Sequence, residues 1–191
     1  FAFFFAINRL WDSGDLGSIT TPLIRASVAF IVFCAAAGAI YLINDWVDLE
    51  QDRAHPVKRH RPLASGELRP RVAMAGVFLL IGICQPAALL LEPWFGLTVA
   101  LYMVLMTTYS LLLKQIAVLD VTAISGGFVL RAVAGAIAVG VPISPWLYTT
   151  TILGALFIGF GKRSNELSLA GAQGEVQRKA LRGYSTKLLD R

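Results

Sequence analysis

Asn44, Asp45, Asp48 and Asp52 stand together in a chain that is otherwise mostly apolar, and Arg53, His55, Lys58, Arg59, His60 and Arg61 follow directly. The aspartates are spaced i, i+3, i+7. On a helix they fall within an arc of about 60° and along about 10 Å of axis. Carboxylates this close oppose each other's ionisation, and the negative end of a helix dipole makes the crowding worse. Something positive must offset them. One possibility is a solvated acidic cap paired with Arg53 and Lys58. The other is a divalent cation: Mg²⁺ takes one or two carboxylates, several waters and phosphate oxygens, so Asp45, Asp48 and Asp52 are candidate metal ligands, with Asn44 beside them. Glu50 points away from this face and is expected to be solvated.

The basic run "RAHPVKRHRPLASGE" suits phosphate. Pro56 and Pro62 stiffen it, Arg61 and its neighbours offer charge-assisted donors, and "ASG" at 64–66 leaves backbone N–H groups accessible. His55 and His60 are further possible donors. Orientation of the chain in a membrane, or contact with anionic lipid, accounts for the basic residues alone but not for acid and base side by side.

These groups need a scaffold, and composition says which kind. Of 191 residues 56% are hydrophobic and 15% charged, against about a quarter charged in an average soluble domain; mean hydropathy is +0.65. Apolar runs near 22–43, 72–91, 94–113, 117–139 and 146–161 approach the ~20 residues that cross a bilayer core. "FAFFFAI" at the start is too short to span, lacks the features of a signal peptide, and reads as the tail of a first helix, which makes six in all. The expected fold is an all-α, polytopic transmembrane bundle forming a single domain over 1–191, with cytoplasmic segments at 44–71 and 162–191. Cys34 and Cys84 fall inside spans as small apolar residues and imply no disulfide.

Fourteen of the seventeen basic residues follow even-numbered helices in this count; Arg9, Arg25 and Arg131 are the others. The positive-inside rule puts the loops after helices two, four and six in the cytoplasm. Trp94 and Trp146 sit where aromatic belts form, and Pro22, Pro93, Pro142 and Pro145 are expected at helix starts.

Asp120 and Arg131 fall within the fifth span, where each charge costs about 2.5–3.5 kcal/mol on insertion scales and normally faces the bundle interior with a partner. Eleven residues apart, they share a face but are too distant to pair. Asp120 can pair with Lys114 or line a polar cavity; Arg131 can meet a phosphate or a carboxylate on another helix. Gly126, Gly127, Ala132, Ala134, Gly135 and Ala136 permit close helix packing.

"NDWVDLEQD" resembles the first aspartate motif, NDxxDxxxD, of the UbiA-type membrane prenyltransferase superfamily. The longer run "NDWVDLEQDRAHPVKRHRPLASGEL" is similar to the decaprenyl-phosphate phosphoribosyltransferase branch, as are "YSLLLKQIAVLDVTAISGGFVLRAVAGA" at 109–136, "GVPISPWL" at 140–147, "GKRSNEL" at 161–167 and "YSTKLLD" at 184–190. The resemblance implies a UbiA-like bundle of which this chain covers about six of an expected nine helices. It implies Mg²⁺ as cofactor, held by the aspartate motif with the diphosphate of a substrate. It further implies transfer of phosphoribose from phosphoribosyl diphosphate to a polyprenyl phosphate in the plasma membrane of a bacterium, in cell-wall synthesis, with the active site on the cytoplasmic side. Arg53, His55, Lys58, Arg59, Arg61, Lys114, Lys162, Arg163, Glu166 and Tyr184 are then the candidates for holding substrate phosphates. No nucleic-acid partner is expected, and a homo-oligomer is left open.

In one respect the chain departs from the wider superfamily. Its region after the sixth helix has Lys162, Arg163, Glu166, Tyr184 and Asp190 in place of a second aspartate motif. That mixture suits a donor with an extra phosphate better than a prenyl diphosphate held by two acidic clusters. Prenyl transfer to a small acceptor is the nearest rival. A transporter or Mg²⁺ channel is a more distant one, since the polar residues crowd one end and no repeat is visible.

Overall fold

The computed structural model describes residues 17–173, with side chains over 20–165. Everything regular in that stretch is helical. The chain runs through α1 (Gly17–Val47), α2 (Leu49–Ala54), α3 (Pro62–Ser65), α4 (Pro70–Leu91), α5 (Pro93–Leu111), α6 (Leu119–Val139) and α7 (Pro145–Gln173), with short 3₁₀ turns at Lys58–His60 and Leu113–Gln115. At 1.5 Å per residue the 31 residues of α1 extend about 46 Å, enough to cross the ~30 Å hydrocarbon core and carry its last turns beyond.

Among the described residues four helices are long and apolar enough to cross a membrane: Thr20–Val47 of α1, Pro70–Leu91, Pro93–Leu111 and Leu119–Val139. These match the first four complete runs read from sequence. The fifth run, 146–161, is helical within α7 but is not among the four. Thr149, Thr150, Thr151, Gly154, Gly159 and Gly161 dilute it. The expected helix at "FAFFFAI" lies outside the described residues. Pro93 and Pro145 begin helices, as do Pro62 and Pro70. Pro22 instead lies inside α1, which starts earlier than its apolar run, and Pro142 lies in the loop before α7. Trp94 and Trp146 are exposed in the first turns of α5 and α7, where an interface would meet them.

α1 packs against α4, α5 and α6, and α7 packs on α6. The core between them is built from small side chains: Ala29, Val32 and Ala36 of α1, Cys84 and Ala88 of α4, Val99 of α5, and Ala134 and Ala138 of α6, with Phe95 as its one large member. Lipid tails are as apolar as leucine, so membrane helices gain by close backbone approach. Gly159 shows how close: a Cβ there would lie 2.5 Å from Val121 Cγ1 on α6. Large side chains such as Phe30, Ile31, Phe78, Leu90 and Phe157 point outward. Both cysteines are free thiols.

Arg25, one of the few basic residues expected on the far side, caps two helices there. Its Nε donates to the Ala138 carbonyl at 2.7 Å and its Nη2 to the Leu91 carbonyl at 3.3 Å, at the C-terminal ends of α6 and α4, with Glu92 at 3.7 Å. These are carbonyls that a helix end leaves without intrahelical partners.

Candidate active site

The opposite end of the bundle gathers the end of α1, all of α2, the loop leading to α4, the α5–α6 turn and the α7 segment around Arg163. The helix expected to run unbroken through the aspartates has a turn at Asp48 between α1 and α2. The i to i−4 ladder nonetheless continues, with the Asp48 N–H donating to the Asn44 carbonyl at 2.9 Å and Asp52 N–H to the Asp48 carbonyl at 2.8 Å. Asp45 and Asp52, two turns apart, therefore still share a face.

That face meets a single guanidinium. Arg61 Nη1 donates to Asp45 Oδ1 and to Asp52 Oδ2, each at 2.8 Å. Asp52 is nearly buried, its side chain 4% exposed, so its charge is poorly screened by water. Asp48 forms an ion pair with Lys114 from the α5–α6 turn. Glu50 is solvated as expected and binds Arg53 at 3.1 Å in an exposed i, i+3 pair. The acids are thus paired, but with Arg61 and Lys114 rather than with Arg53 and Lys58.

The basic loop is folded. His55 accepts at Nδ1 from the N–H groups of Val57 and Lys58, at 3.2 and 3.3 Å, closing the turn that begins it. Leu63 is buried beneath it. Gly66 ends α3 with φ +89°, a left-handed conformation that glycine adopts without strain. Lys58 is half-buried, and Arg59 and His60 are exposed.

Asp120 and Lys114 do not pair. Asp120 opens α6, where the helix dipole favours a carboxylate, and its Oδ2 lies 2.7 Å from Arg163 Nε of α7, with both side chains almost wholly buried. Val118 just before it has φ +70°, a strained conformation for a β-branched residue. Lys162 is exposed beside Arg163. The side chain of Glu166, and Tyr184 altogether, lie outside the described residues. Among the described residues Arg131 pairs with no carboxylate: its Nη2 donates to the Tyr102 hydroxyl at 2.6 Å, and its guanidinium stacks on Tyr102 and Phe128 at 5.1 and 5.6 Å from the ring centroids. Phe128, an i−3 neighbour on the same helix, lies where helical spacing alone would put it; Tyr102, 29 positions away, carries no such signal. Arg131 borders a groove of about 770 Å³ between α1, α6 and α7, lined by Phe30, Phe33, Tyr41, Phe95 and Thr150 among others.

Among the described residues no three carboxylate, histidine or cysteine side chains form a ready metal cluster. Two carboxylates do converge on one cationic atom, Arg61 Nη1. A pair of acids able to close on a single positive centre fits what Mg²⁺ asks of protein, one or two carboxylates with waters and phosphate completing the shell.

The UbiA prenyltransferase family matches residues 15–165. Among curated proteins the chain is similar to the decaprenyl-phosphate phosphoribosyltransferase of Mycolicibacterium smegmatis, 41% identical over 86% of this chain and 52% of the relative. Its namesake in Mycobacterium tuberculosis is 38% identical over 87% and 55%, and that of Corynebacterium glutamicum 37% over 87% and 51%. The chain spans about half the length of these curated relatives. A matched stretch that takes in both the apolar helices and the charged end they position leaves one conclusion: the chain is an integral membrane protein and belongs to the UbiA prenyltransferase family.

Proposed function

We propose that this chain carries the donor-binding end of a membrane pentosyltransferase, which moves phosphoribose from 5-phosphoribosyl-1-diphosphate to a polyprenyl phosphate, decaprenyl phosphate in the named relatives, and releases pyrophosphate. The observation that carries the reading is the reciprocal pairing at the charged end: Asp45 and Asp52 on Arg61, Asp48 on Lys114. Acidic and basic groups from three segments occupy one place, as a site for a metal-bound polyanion requires.

Arg61 and Lys114 turn from the aspartates to the donor's phosphates, with Lys58, Arg59 and Lys162 adding charge around them. Arginine grips phosphate oxygens bidentately and lysine acts as a point charge. Asp45, Asp48 and Asp52 are the residues that would hold magnesium, which supplies neutralising charge for the departing diphosphate. The bond from C1 of the ribose to the diphosphate oxygen breaks and its electron pair leaves with pyrophosphate. An oxygen of the lipid phosphate forms the new bond to C1. That oxygen is already anionic, so no general base is needed. Arg163, held by Asp120, fixes α7 so that Lys162 stays at the site. His55 shapes the loop that presents Lys58 and Arg59.

The active site is on the cytoplasmic side, by the distribution of basic residues. The lipid stays in the bilayer with its tail along the groove between α1, α6 and α7. A membrane fold suits such a reaction, since one substrate is soluble and the other is not.

The test is transfer by the purified protein in lipid nanodiscs with Mg²⁺. Label from radiolabelled phosphoribosyl diphosphate is expected in the organic phase when polyprenyl phosphate is present. Label that stays aqueous while a prenyl diphosphate is consumed with an aromatic acceptor would overturn the reading in favour of prenyl transfer.

A further inference from the structure

We propose that Arg61 and Lys114 are internal counter-ions that keep the acidic site closed to a free metal ion, so that a divalent cation and a diphosphate each open the site for the other. The inference rests on reading this end of the bundle as a metal–diphosphate site.

Its basis is competition for one position. Arg61 Nη1 lies 2.8 Å from both Asp45 Oδ1 and Asp52 Oδ2. Mg²⁺ binds carboxylate oxygens at about 2.0–2.1 Å, so an ion held by those two oxygens takes the space the guanidinium fills. Lys114 stands likewise on Asp48. Three carboxylates facing two cations leave little net charge to draw in a divalent ion, and the near-burial of Asp52 keeps its pairing with Arg61 strong.

A diphosphate is the kind of group that can take both cations away. It offers arginine a bidentate partner and lysine a dense negative charge. Once they turn to it, Asp52 is left buried without a counter-charge, which is costly, and a metal ion restores the balance. Arg61 and Lys114 reach the acids from different segments, the loop after α2 and the α5–α6 turn, so a ligand that bridges both does what neither metal nor monophosphate does alone. Linkage requires the coupling to be reciprocal: whatever factor the diphosphate adds to metal affinity, the metal adds to diphosphate affinity.

The experiment uses the whole chain in phosphatidylcholine nanodiscs, with Mn²⁺ as the probe metal. Bound Mn²⁺ is measured by electron paramagnetic resonance with and without pyrophosphate, after correction for the Mn²⁺–pyrophosphate complex formed with protein-free discs. Wild type is expected to bind Mn²⁺ about tenfold or more tighter with pyrophosphate than alone, within the usual range of such couplings. Arg61→Gln is expected to bind Mn²⁺ alone about tenfold tighter than wild type, with a correspondingly smaller gain from pyrophosphate. Lys114→Gln moves the same way and serves as the second variant should Arg61→Gln be unstable. Arg69→Gln removes an equal charge from the end of the same loop, but from an exposed side chain with no ion pair among the described residues, and is expected to leave Mn²⁺ affinity unchanged. Arg61→Gln and Lys114→Gln binding Mn²⁺ alone no better than wild type would overturn the proposal, as would an equal rise in Arg69→Gln. If neither wild type nor any variant binds Mn²⁺ even with pyrophosphate, the metal–diphosphate reading falls too.

Discussion

Lys114 and Asp48 form an ion pair across 66 positions of sequence, tying the end of α1 to the α5–α6 turn. Both side chains are mostly buried, 14% and 19% exposed, so the pair does more than an exposed surface bridge would. In a double-mutant cycle by thermal unfolding, Asp48→Asn and Lys114→Met each lower the midpoint. The double variant is expected to lose less than their sum, with a coupling of about 1 kcal/mol. Additive losses would mean the two groups are independent.

Asp45→Asn and Asp48→Asn keep side-chain shape and remove charge. Each is expected to reduce phosphoribosyl transfer by a factor of about 100 or more, the scale of losing one electrostatic stabiliser of a transition state, while the protein stays monodisperse in nanodiscs. Turnover close to wild type in both would remove the aspartates from the chemistry.

Asp120 and Arg163 are buried partners. Removing one leaves the other as an uncompensated buried charge, a loss of about 3–5 kcal/mol. Asp120→Asn is therefore expected to lower the unfolding midpoint by many degrees. Adding Arg163→Met to it should recover part of that loss, because the stranded charge goes too. A double variant no more stable than Asp120→Asn would refute the pairing.

Arg131 is held by a hydroxyl and two rings. Tyr102→Phe deletes only the hydroxyl and is expected to destabilise by about 1.5–3 kcal/mol, the range for a hydrogen bond to a charged group. In an Arg131→Met background the same change should cost far less. Arg131→Lys should behave more like Met than like Arg, since an ammonium lacks the planar face that stacks on Tyr102 and Phe128. Unfolding midpoints of the four variants decide this.

Much of this protein was readable from one dimension because the bilayer is a severe solvent. Runs of apolar residues must become helices where no water satisfies the backbone, so α1, α4, α5 and α6 were legible as lengths of sequence. Helical periodicity put Asp45 and Asp52 on one face, and the clustering of acid beside base marked the end of the bundle where ion pairs gather. The partners were another matter. Arg61 rather than Arg53 or Lys58, Lys114 on Asp48 rather than Asp120, Arg163 on Asp120, and Tyr102 under Arg131 all depend on how separate segments come together. Any of several cations had the right charge and reach; small residues such as Gly159, letting α7 close onto α6, and the folded loop over Leu63 set which ones arrived. Sequence by itself determined which segments enter the membrane and where charge accumulates, since those follow from local composition and helical spacing. Only the tertiary structure decided which charge meets which, because an ion pair forms at a few ångströms in space, and that distance belongs to the packing of the helices.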